Sequence, residues 1–519
     1  MAQPWQGFSR YLRLARAPIP WGTVAEDDMA DDVRILVIDA GTTSTRAMLF
    51  GADGACHGIE QRDITQYYPA DGMVEQDAAE IWSGTLHAAQ TMVKAAGGAD
   101  RITAIGITNQ RETVVFWDRQ SGDPLAPAIV WQDRRTADIC AKLKASGHER
   151  VVQAKTGLLL DPYFSASKIG WALQNWPQLA AAGDRLAVGT IESYLLYRLT
   201  GGAHITDASN ASRTMLMDIG GGGWDAGLCD LFDVPRTILP EIVDCSGALG
   251  HSAAAHFGAP IAICGAAGDQ QAATIGQACL SPGDTKATYG TGAFVLTNVG
   301  RAPRLSQHRL LTTILYAADG QTHYALEGSV FVAGALMQWL RDSIGILSHA
   351  GESEGLARSV PDNGGVTCVP ALSGLGAPHW RSDVRGAISG LSFATGRAHI
   401  VRAGLEAMAH QTQDLAAAFA GDGAPWQRVQ IDGGMSANDW MAQDLADILA
   451  LEVERPQLVE TTALGAAMLA ARGAGIYPDL ASAAAAMRSP ARSFAPRMDK
   501  ATRTRRIDQW QAAMARALS

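Results

Sequence analysis

A turn rich in hydroxyl groups follows the first strongly apolar segment of the chain, residues 35–38 (ILVI). Residues 39–46 (DAGTTSTR) combine a carboxylate, four hydroxyls and a guanidinium group. Backbone N–H groups of such a turn can wrap phosphate oxygens, the hydroxyls add donors, and Arg46 adds positive charge. Asp39, at the end of the strand, could hold a hydrated Mg²⁺ ion. The segment therefore indicates a phosphate-binding turn, with a plain polar hairpin as the alternative.

Two further polar segments carry side chains suited to a small hydroxylated substrate. Residues 109–113 (NQRET) follow a predicted strand, where α/β folds place ligand sites. There, Arg111 and Glu112 supply donors and acceptors for a polyol. Asp269 is the first charge after the uncharged run 245–268, so it could serve as a general base for a hydroxyl. The alternatives are a solvated ion pair for Arg111 with Glu112 and a helix cap for Asp269.

A glycine-rich segment near residue 433 offers a different kind of site. Asp432 precedes Gly433 and Gly434, and Asn438 is placed to cap a following helix. Backbone without side chains beside a helix N-terminus could seat a flat or phosphorylated ligand, and a tight turn with a cap is the alternative. The sequence contains neither a P-loop motif nor a glycine-rich dinucleotide fingerprint that opens a helix.

Two similar hairpins are predicted about half a chain apart. Residues 34–50 have two apolar runs around the first polar turn, and residues 286–299 repeat the design around a Gly-Thr-Gly turn. Such self-similarity indicates two halves built alike. Gly-Thr turns are common, so duplication stays open on this observation alone.

Helices and strands alternate along the rest of the chain. Apolar spacing predicts a strand over 102–108 and helices over 167–176 and 400–419. Residues 430–432 are predicted to end a strand, and Asn438 to begin the next helix. The alternation predicts an α/β fold with covered sheets.

Composition excludes several classes of protein. The 519 residues are 47% hydrophobic and 18% charged, so most of the chain can fold, and the net charge of −10 disfavours nucleic acid or an anionic membrane as a partner. Seven cysteines without C-x-x-C pairs or zinc-type spacing indicate a reduced, cytoplasmic protein without structural zinc. The run 245–268 is long enough to cross a bilayer, but its histidines, proline and glycines predict buried globular chain.

Three regions are expected along the chain. Residues 1–31 carry arginines, prolines and an acidic cluster without apolar patterning, which predicts a disordered extension or an upstream start before Met29. The second hairpin puts the boundary between the remaining two domains near residue 280, so we expect domains over 32–279 and 280–519.

The motifs together resemble the FGGY carbohydrate kinases of the actin and hexokinase ATPase superfamily, and within that family its glycerol-phosphorylating members. The resemblance runs from about residue 34 to the C-terminus. Ten ordered blocks carry it: 39–46, 106–113 (GITNQRET), 128–137 (AIVWQDRRTA), 157–171 (GLLLDPYFSASKIGW), 210–216 (NASRTML), 266–273 (AAGDQQAA), 288–294 (TYGTGAF), 326–342 (LEGSVFVAGALMQWLRD), 374–380 (GLGAPHW) and 432–438 (DGGMSAN). It implies two actin- and hexokinase-like (ribonuclease H-like) ATPase domains that flank a deep cleft, the first binding glycerol and phosphate and the second the nucleotide.

The resemblance also implies a role for individual residues. Asp269 would be the catalytic base for the attacking hydroxyl. The substrate-binding set would be Arg111, Glu112, Trp131, Tyr163, Asp269, Gln270 and Phe294. The ATP-binding set would be Thr42, Thr43, Ser44, Arg46, Thr291, Gly334, Gln338, Gly434 and Asn438. Asp39 and Asp269 would hold Mg²⁺.

The implied activity is ATP-dependent phosphorylation of glycerol to sn-glycerol 3-phosphate for glycerol uptake and catabolism, by in-line transfer with Mg²⁺. The implied partners are glycerol, ATP and ADP, in a cytoplasmic homo-oligomer, dimer or tetramer, without an integral membrane segment. Two alternatives remain: a kinase of the same family for another small polyol or sugar, and an actin-like nucleotide-binding scaffold. The scaffold has no need of Asp269 beside a polyol pocket.

Overall fold

The structure is a computed structural model that describes residues 33–381, 383–458 and 460–519. The extension predicted over residues 1–31 lies outside these ranges. Described residues 33–519 form one compact unit.

The strands are β1 (Arg34–Ala40), β2 (Ser44–Gly51), β3 (Cys56–Asp63), β4 (Glu75–Gln76), β5 (Ala104–Asn109), β6 (Val114–Asp118), β7 (Ala128–Ile129), β8 (Leu186–Thr190), β9 (Ile205–Asp207), β10 (Met217–Asp218), β11 (Gly223–Trp224), β12 (Glu241–Val243), β13 (Ser246–His251), β14 (Ala262–Gly268), β15 (Asp284–Tyr289), β16 (Ala293–Gly300), β17 (Leu311–Ala318), β18 (Gln321–Val330), β19 (Thr367–Val369), β20 (Ala387–Ser389), β21 (Arg428–Asp432), β22 (Val453–Pro456) and β23 (Ala491–Phe494).

The α-helices are α1 (Ala78–Ala95), α2 (Ala137–Ala145), α3 (Glu149–Thr156), α4 (Ser165–Asn175), α5 (Pro177–Ala182), α6 (Ile191–Thr200), α7 (Ala208–Ala211), α8 (Ala226–Leu231), α9 (Ala254–Phe257), α10 (Asp269–Gly276), α11 (Gly334–Asp342), α12 (Glu352–Arg358), α13 (Arg397–Gly421), α14 (Asp439–Leu449), α15 (Thr461–Gly473), α16 (Leu480–Met487) and α17 (Lys500–Leu518). The predicted α/β class is confirmed.

Both predicted hairpins are present. β1 pairs antiparallel with β2, from Arg34 opposite Gly51 to Ala40 opposite Thr45. All seven residues of β1 are buried, because the strand lies between β2 and β5 with helices on its faces, and a continuous apolar run suits that environment. The second hairpin pairs β15 with β16, ending at Tyr289 opposite Ala293.

A large mixed sheet runs through the described residues and contains the same arrangement twice. Its order is β23-β22-β21-β15-β16-β18-β17-β13-β14-β5-β1-β2-β3. In the first half, β1 and β2 form a hairpin with β3 outside it, and β5 and β14 continue in parallel on the other side of β1. In the second half, β15, β16, β18, β21 and β22 have the corresponding places and directions. The predicted likeness of the two halves therefore extends beyond the turns to the strand order.

The predicted helices are present with small shifts at their ends. The helix predicted over 167–176 is α4, which begins two residues earlier, and the one predicted over 400–419 is the longer α13. Asn438 caps α14 as expected, because its Oδ1 accepts the Met441 N–H at 2.9 Å. The strand predicted over 102–108 is β5.

The helices α10 and α15 pack against each other below the edge of the sheet. A Cβ atom at Gly465 would lie 1.8 Å from the Ala272 carbonyl oxygen, so only glycine permits this approach. α10 begins at Asp269, and its close packing on α15 fixes the position of that residue.

The uncharged run 245–268 forms β13, the short helix α9 and β14, which are globular chain as predicted. Burial is confirmed for β14, whereas α9 has no buried residue and β13 alternates between buried and exposed positions, so the run is only partly buried. Among the described helices, none is long and apolar enough to cross a membrane. The seven cysteines carry free thiols; six are buried, and Cys56 on β3 is partly exposed.

Candidate active site

The carboxyl ends of three parallel strands bring the polar segments of the first half together. Ala40 at the end of β1 lies opposite Asn109 at the end of β5, and Asn109 lies opposite Gly268 at the end of β14. The residues that follow these three positions therefore emerge at one edge of the sheet. This edge carries the first polar turn, the Arg111–Glu112 pair and Asp269.

Arg111 and Glu112 form a buried charged pair rather than a solvated one. Both side chains are almost completely buried, and Arg111 Nε lies 3.9 Å from Glu112 Oε1. The same Arg111 Nε lies 3.2 Å from Asp269 Oδ1. The three polar side chains predicted to meet a polyol and its attacking hydroxyl are thus adjacent.

Two aromatic residues border this pair. Arg111 Nη2 donates to the Tyr163 hydroxyl at 3.4 Å, and burial raises the pKa of Tyr163, so the hydroxyl stays protonated. The rings of Tyr163 and Trp131 meet edge to face at 5.6 Å between centroids. Trp131 Nε1 donates to Thr42 Oγ1 at 3.0 Å, which connects the aromatic wall to the first polar turn.

Asp269 has the protonation behaviour of a candidate base. About a third of its side chain, 34%, is exposed, and the backbone N–H of Gln270 donates to its Oδ1 at 2.7 Å. Burial in the recess raises the pKa of Asp269 to about 6, against the opposing effect of the Arg111 guanidinium. The carboxyl is therefore mostly ionised at neutral pH and more basic than an ordinary aspartate.

Gln270 and Phe294 are positioned by the second hairpin. Lys286 on β15 is fully buried and donates from Nζ to Gln270 Oε1 at 2.5 Å. Residues directly opposite each other in neighbouring strands share a face of the sheet, and Lys286 lies opposite Leu296, two residues from Phe294. Phe294 therefore lies on the face that carries Lys286.

The first polar turn holds its two charged residues in an ion-pair chain. Arg46 forms a close ion pair with Asp39, and its Nη1 lies 2.7 Å from Glu460 Oε2 at the start of α15. The attraction of Asp39, in addition to that of Glu460, raises the pKa of Arg46. Thr43 is exposed, while Thr42 and Ser44 are half-buried.

The second turn is joined to the helix that follows β18. The N–H of Gly334 donates to the Gly290 carbonyl at 2.9 Å, and a Cβ atom at Gly334 would lie 2.5 Å from that oxygen. Thr291 is exposed at the tip of the turn, and Gln338 is exposed on α11 one turn beyond Gly334.

The glycine-rich segment has one structural and one open glycine. Gly433 has φ of 84°, and a Cβ atom there would lie 2.5 Å from the Tyr289 carbonyl oxygen. A Cβ atom at Gly434 would meet nothing within 4 Å, so this backbone presents an open surface. Asn438 combines its cap with a 3.2 Å hydrogen bond from Nδ2 to Ser353 Oγ. The Asp432 carboxylate accepts from Thr461 Oγ1 at 2.5 Å and is structural.

α15 connects the two groups of candidate residues. Glu460, the N-cap residue of α15, lies against Arg46. Thr461, the first residue of the helix, donates to Asp432, which also accepts a close hydrogen bond from Thr288. The first polar turn and the glycine-rich segment are therefore both attached to the N-terminus of one helix.

Sequence reasoning missed three charged residues that surround the polyol candidates: Glu327, Arg213 and Lys286. Glu327 and Arg213 lie within the motif blocks 326–342 and 210–216. For Glu327, a single charge inside the largely apolar stretch 324–332 was the available signal. Burial alone would raise the pKa of Glu327, but the guanidinium groups of Arg111 and Arg213 overcome it and hold the pKa at about 2. Glu327 is therefore ionised.

Two carboxylates at the sheet edge have the chemistry that Mg²⁺ prefers. Mg²⁺ keeps several waters and binds through one or two carboxylates plus substrate phosphates. Asp39 is the second-last residue of β1 and Asp269 directly follows β14, at the same edge of the sheet. In residues 33–519, apart from the two undescribed positions, no group of three or more His, Cys, Asp or Glu side chains is arranged to hold a metal. The chemistry of the two carboxylates is compatible with an ion that keeps water and phosphate among its ligands.

Comparison with known proteins gives matches along nearly the whole chain. The model of the FGGY family of carbohydrate kinases, N-terminal domain, matches residues 34–276, and that of the C-terminal domain matches residues 285–474. A glycerol kinase of Rhodospirillum centenum is 53% identical over 489 residues, which cover 93% of this chain and 98% of that protein. Glycerol kinase 1 of Pseudomonas aeruginosa is 51% identical, with 93% and 99% covered.

Solved structures agree with these matches. The crystal structure of Plasmodium falciparum glycerol kinase with ADP superposes with a TM-score of 0.89 at 36% identity, covering 94% of this chain and 99% of that one. A xylulose kinase from Rhodospirillum rubrum superposes with a TM-score of 0.83 at 26% identity, covering 93% and 98%. The predicted two-domain, actin- and hexokinase-like fold is confirmed, and a kinase is favoured over a nucleotide-binding scaffold. The chain belongs to the FGGY family of carbohydrate kinases.

Proposed function

We propose that the protein phosphorylates glycerol with ATP, yielding sn-glycerol 3-phosphate and ADP, in the uptake and catabolism of glycerol. The observation that carries this proposal is the Arg111–Glu112–Asp269 cluster, in which Arg111 Nε lies 3.2 Å from Asp269 Oδ1. Glycerol kinases more than 50% identical over nearly the full chain support the choice of glycerol.

Arg111, Glu112 and Tyr163 would bind the hydroxyl groups of glycerol. The guanidinium donates, the carboxylate accepts, and the phenol can do either. Trp131 and Phe294 would pack against the carbon backbone, and Gln270, oriented by Lys286, would add a polar contact. A buried site that hydrogen-bonds hydroxyls discriminates strongly against analogues that lack them.

Asp269 would orient the terminal hydroxyl and accept its proton as that oxygen attacks the γ-phosphorus of ATP in line. Its pKa of about 6 gives it more basicity than an ordinary aspartate while leaving it ionised at neutral pH. The proton moves to the carboxylate, and the new bond joins the glycerol oxygen to the γ-phosphorus. The bond between that phosphorus and the oxygen bridging it to the β-phosphate breaks, and ADP leaves with its electrons.

The second half and the first turn would bind ATP. Gly434, Gly334, Gln338 and Asn438 would contact the adenosine side, and Thr291 would contact phosphate from the second turn. Thr42, Thr43, Ser44 and Arg46 would donate to phosphate from the first turn. Asp39 and Asp269 would hold Mg²⁺, which neutralises phosphate charge when it is bound. Arg46 would exchange part of its contact with Asp39 and Glu460 for phosphate oxygens.

A coupled ADP-release assay across glycerol, dihydroxyacetone, erythritol and xylulose tests this proposal. We expect the highest kcat/KM on glycerol, loss of turnover when EDTA removes Mg²⁺, and a stoichiometric sn-glycerol 3-phosphate product. Best turnover on xylulose, or none on any of these substrates, would overturn it. We also propose a cytoplasmic homo-oligomer, a dimer or tetramer, which size-exclusion chromatography with light scattering would test.

A further inference from the structure

We propose that Glu327 and Arg213 are positioning residues that fix the geometry of Arg111 and Glu112 for the polyol. The inference rests on the proposed function, because it concerns how the same site holds its substrate. It assigns a task to two charged residues that do not belong to the predicted substrate-binding set.

The four side chains form a continuous chain of ion pairs. Arg111 Nη1 and Nη2 donate to the two carboxylate oxygens of Glu327 at 2.6 and 3.3 Å. Glu327 Oε1 also accepts from Arg213 Nη2 at 3.1 Å, and Arg213 Nε donates to Glu112 Oε1 at 2.6 Å. Glu112 and Arg111 are thus both held by residues that are themselves joined.

The chain of ion pairs is dry and has no net charge. Glu327 and Arg213 are fully buried, 0% exposed, and Arg111 and Glu112 are 3% and 1% exposed. Two guanidinium groups and two carboxylates balance one another. Removal of one charge would leave an excess that water cannot screen, so each of these partners determines where the others lie.

The contact with Glu327 fixes which edge of the Arg111 guanidinium faces the proposed polyol site. Because Glu327 takes both terminal nitrogens, the plane of the guanidinium is fixed. Its Nε then faces Asp269 at 3.2 Å and its Nη2 lies 3.4 Å from the Tyr163 hydroxyl. Without Glu327, the two terminal nitrogens of Arg111 would lose their partner carboxylate and could turn toward Glu112 or Asp269, and the polyol-binding geometry would be lost.

Glu327 reaches the polyol residues from the other half of the chain. It lies on β18 opposite Leu296 of β16, and Ser329 lies opposite Phe294, so Glu327 and Phe294 share a face of the sheet. β18 ends at Val330, four residues before Gly334 opens α11 on the predicted adenosine side. One strand therefore connects the support of the polyol pair to the nucleotide half.

Arg213 also contacts the aromatic side of the site. Its guanidinium carbon lies 5.7 Å from the Tyr163 ring centroid and 5.2 Å from that of Phe164. The residue consequently touches the carboxylate and the phenol that are predicted to bind hydroxyls. A change at Arg213 is therefore expected to disturb both Glu112 and Tyr163.

Glu327→Gln is the direct test, because glutamine keeps the shape of the side chain and removes its charge. One of its two terminal atoms becomes a donor that faces a donor on an arginine. We expect the KM for glycerol to rise by about 10- to 100-fold, as for loss of a charge-assisted hydrogen bond. The Kd for ATP, measured by calorimetry, should stay within about twofold of wild type.

Arg213→Lys keeps the positive charge, but a single ammonium group cannot reproduce the two separate donors that Arg213 directs at Glu112 and Glu327. This variant tests the positioning role if Glu327→Gln does not fold. It should also raise the KM for glycerol while sparing ATP binding. The matched control is Asp444→Asn, which removes a buried carboxylate from Arg506, whose Nη1 lies 2.5 Å from Asp444 Oδ1. This control should lower the melting temperature without changing the KM for glycerol.

Wild-type turnover on glycerol is measured first, because its absence would overturn the proposed function. The variants would then be compared on whichever substrate of the panel turns over best, and no turnover on any would overturn both proposals. With an active wild type, an unchanged KM in the folded variant would overturn the positioning role. Equal loss of glycerol and ATP affinity would do the same.

Discussion

The segments that follow β5 and β21 have equivalent places in the two halves but opposite chemistry. Both strands lie parallel to and beside the first strand of a hairpin. The segment after β5 carries Arg111 and Glu112 in a buried ion-pair network, whereas the segment after β21 carries the closely packed Gly433 followed by Gly434, whose backbone is exposed. The same backbone frame can thus offer charges to a small polyol in one half and a side-chain-free surface to a flat ring in the other.

The two segments also treat a left-handed backbone position differently. Glu112 has φ of 63° and Gly433 has φ of 84°. A non-glycine residue there costs of order 1–3 kcal/mol and persists where its surroundings hold it. At Glu112 the carboxylate is held by Arg213, so the side chain is retained; at Gly433 a Cβ atom would clash with Tyr289, so glycine is required.

Removal of the proposed base should have the largest effect, because it should lower kcat strongly while leaving the affinity for ATP nearly unchanged. Asp269→Asn should lower kcat by about 10²- to 10⁴-fold, because the attacking hydroxyl loses its proton acceptor. The Kd for ATP should change by less than about threefold, since the adenosine contacts lie in the second half. Coupled ADP release and calorimetry measure the two quantities. Asp479→Asn, which removes a carboxylate charge at the N-cap of α16 and keeps an oxygen that can accept the Ser482 N–H, is the control and should leave kcat unchanged. Retained activity in Asp269→Asn would refute the assignment of the base.

The backbone requirement at Gly433 should appear as a loss of stability. Gly433→Ala should reduce the free energy of unfolding by about 1–3 kcal/mol, because the new Cβ atom meets the Tyr289 carbonyl at positive φ. Gly434→Ala, in open space one residue later, should change it by less than about 0.5 kcal/mol. Urea unfolding measures both. Equal effects of the two substitutions would remove the distinction between them.

A larger side chain at Gly434 should affect only the nucleotide. Gly434→Leu should raise the KM for ATP by about tenfold, which corresponds to about 1.4 kcal/mol, by covering the open backbone. The KM for glycerol should not change, because the polyol residues belong to the other segment. Initial rates with each substrate varied separately measure this. A rise in both KM values would show that the two segments are not specialised as proposed.

Substitutions in the two polar turns should have the smallest effects, and these effects should be similar to each other. Thr43→Ala and Thr291→Ala each remove one exposed hydroxyl, and each should raise the KM for ATP by about 2- to 10-fold, as for the loss of one neutral hydrogen bond. The neighbouring exposed Thr65, whose Oγ1 donates to Glu80 at 2.9 Å, supplies a control in Thr65→Ala. An effect confined to one turn would show that only that turn contacts phosphate.

Local patterns predicted the frame of this molecule well. The hairpins, the helices α4, α13 and α14 and the cap at Asn438 depend on residues close together in the sequence, where periodicity and capping chemistry operate. The resemblance then named residues of the polyol and nucleotide sets, and the register of β1, β5 and β14 explains why three of the polar segments meet.

The supporting residues could not be predicted in the same way. Glu327 and Arg111 are 216 residues apart in sequence, and Arg213 and Glu112 are 101 residues apart. Their pairing depends on strand register and on which face of β18 is turned inward, and neither follows from the local sequence. The same holds for Glu460 and Arg46, which are 414 residues apart.

Cys56 has the most accessible thiol among the cysteines, so it is suited to selective chemical labelling. It lies on β3 and is the partly exposed member of seven free thiols, the other six being buried. Burial nevertheless raises its pKa, and the charges of Glu460 and Arg46 lie close enough to affect it. A maleimide fluorophore at mildly alkaline pH should therefore label the folded protein at one position, beside the ion-pair chain of the first turn. Its emission could then report nucleotide arrival directly, without any need to follow turnover.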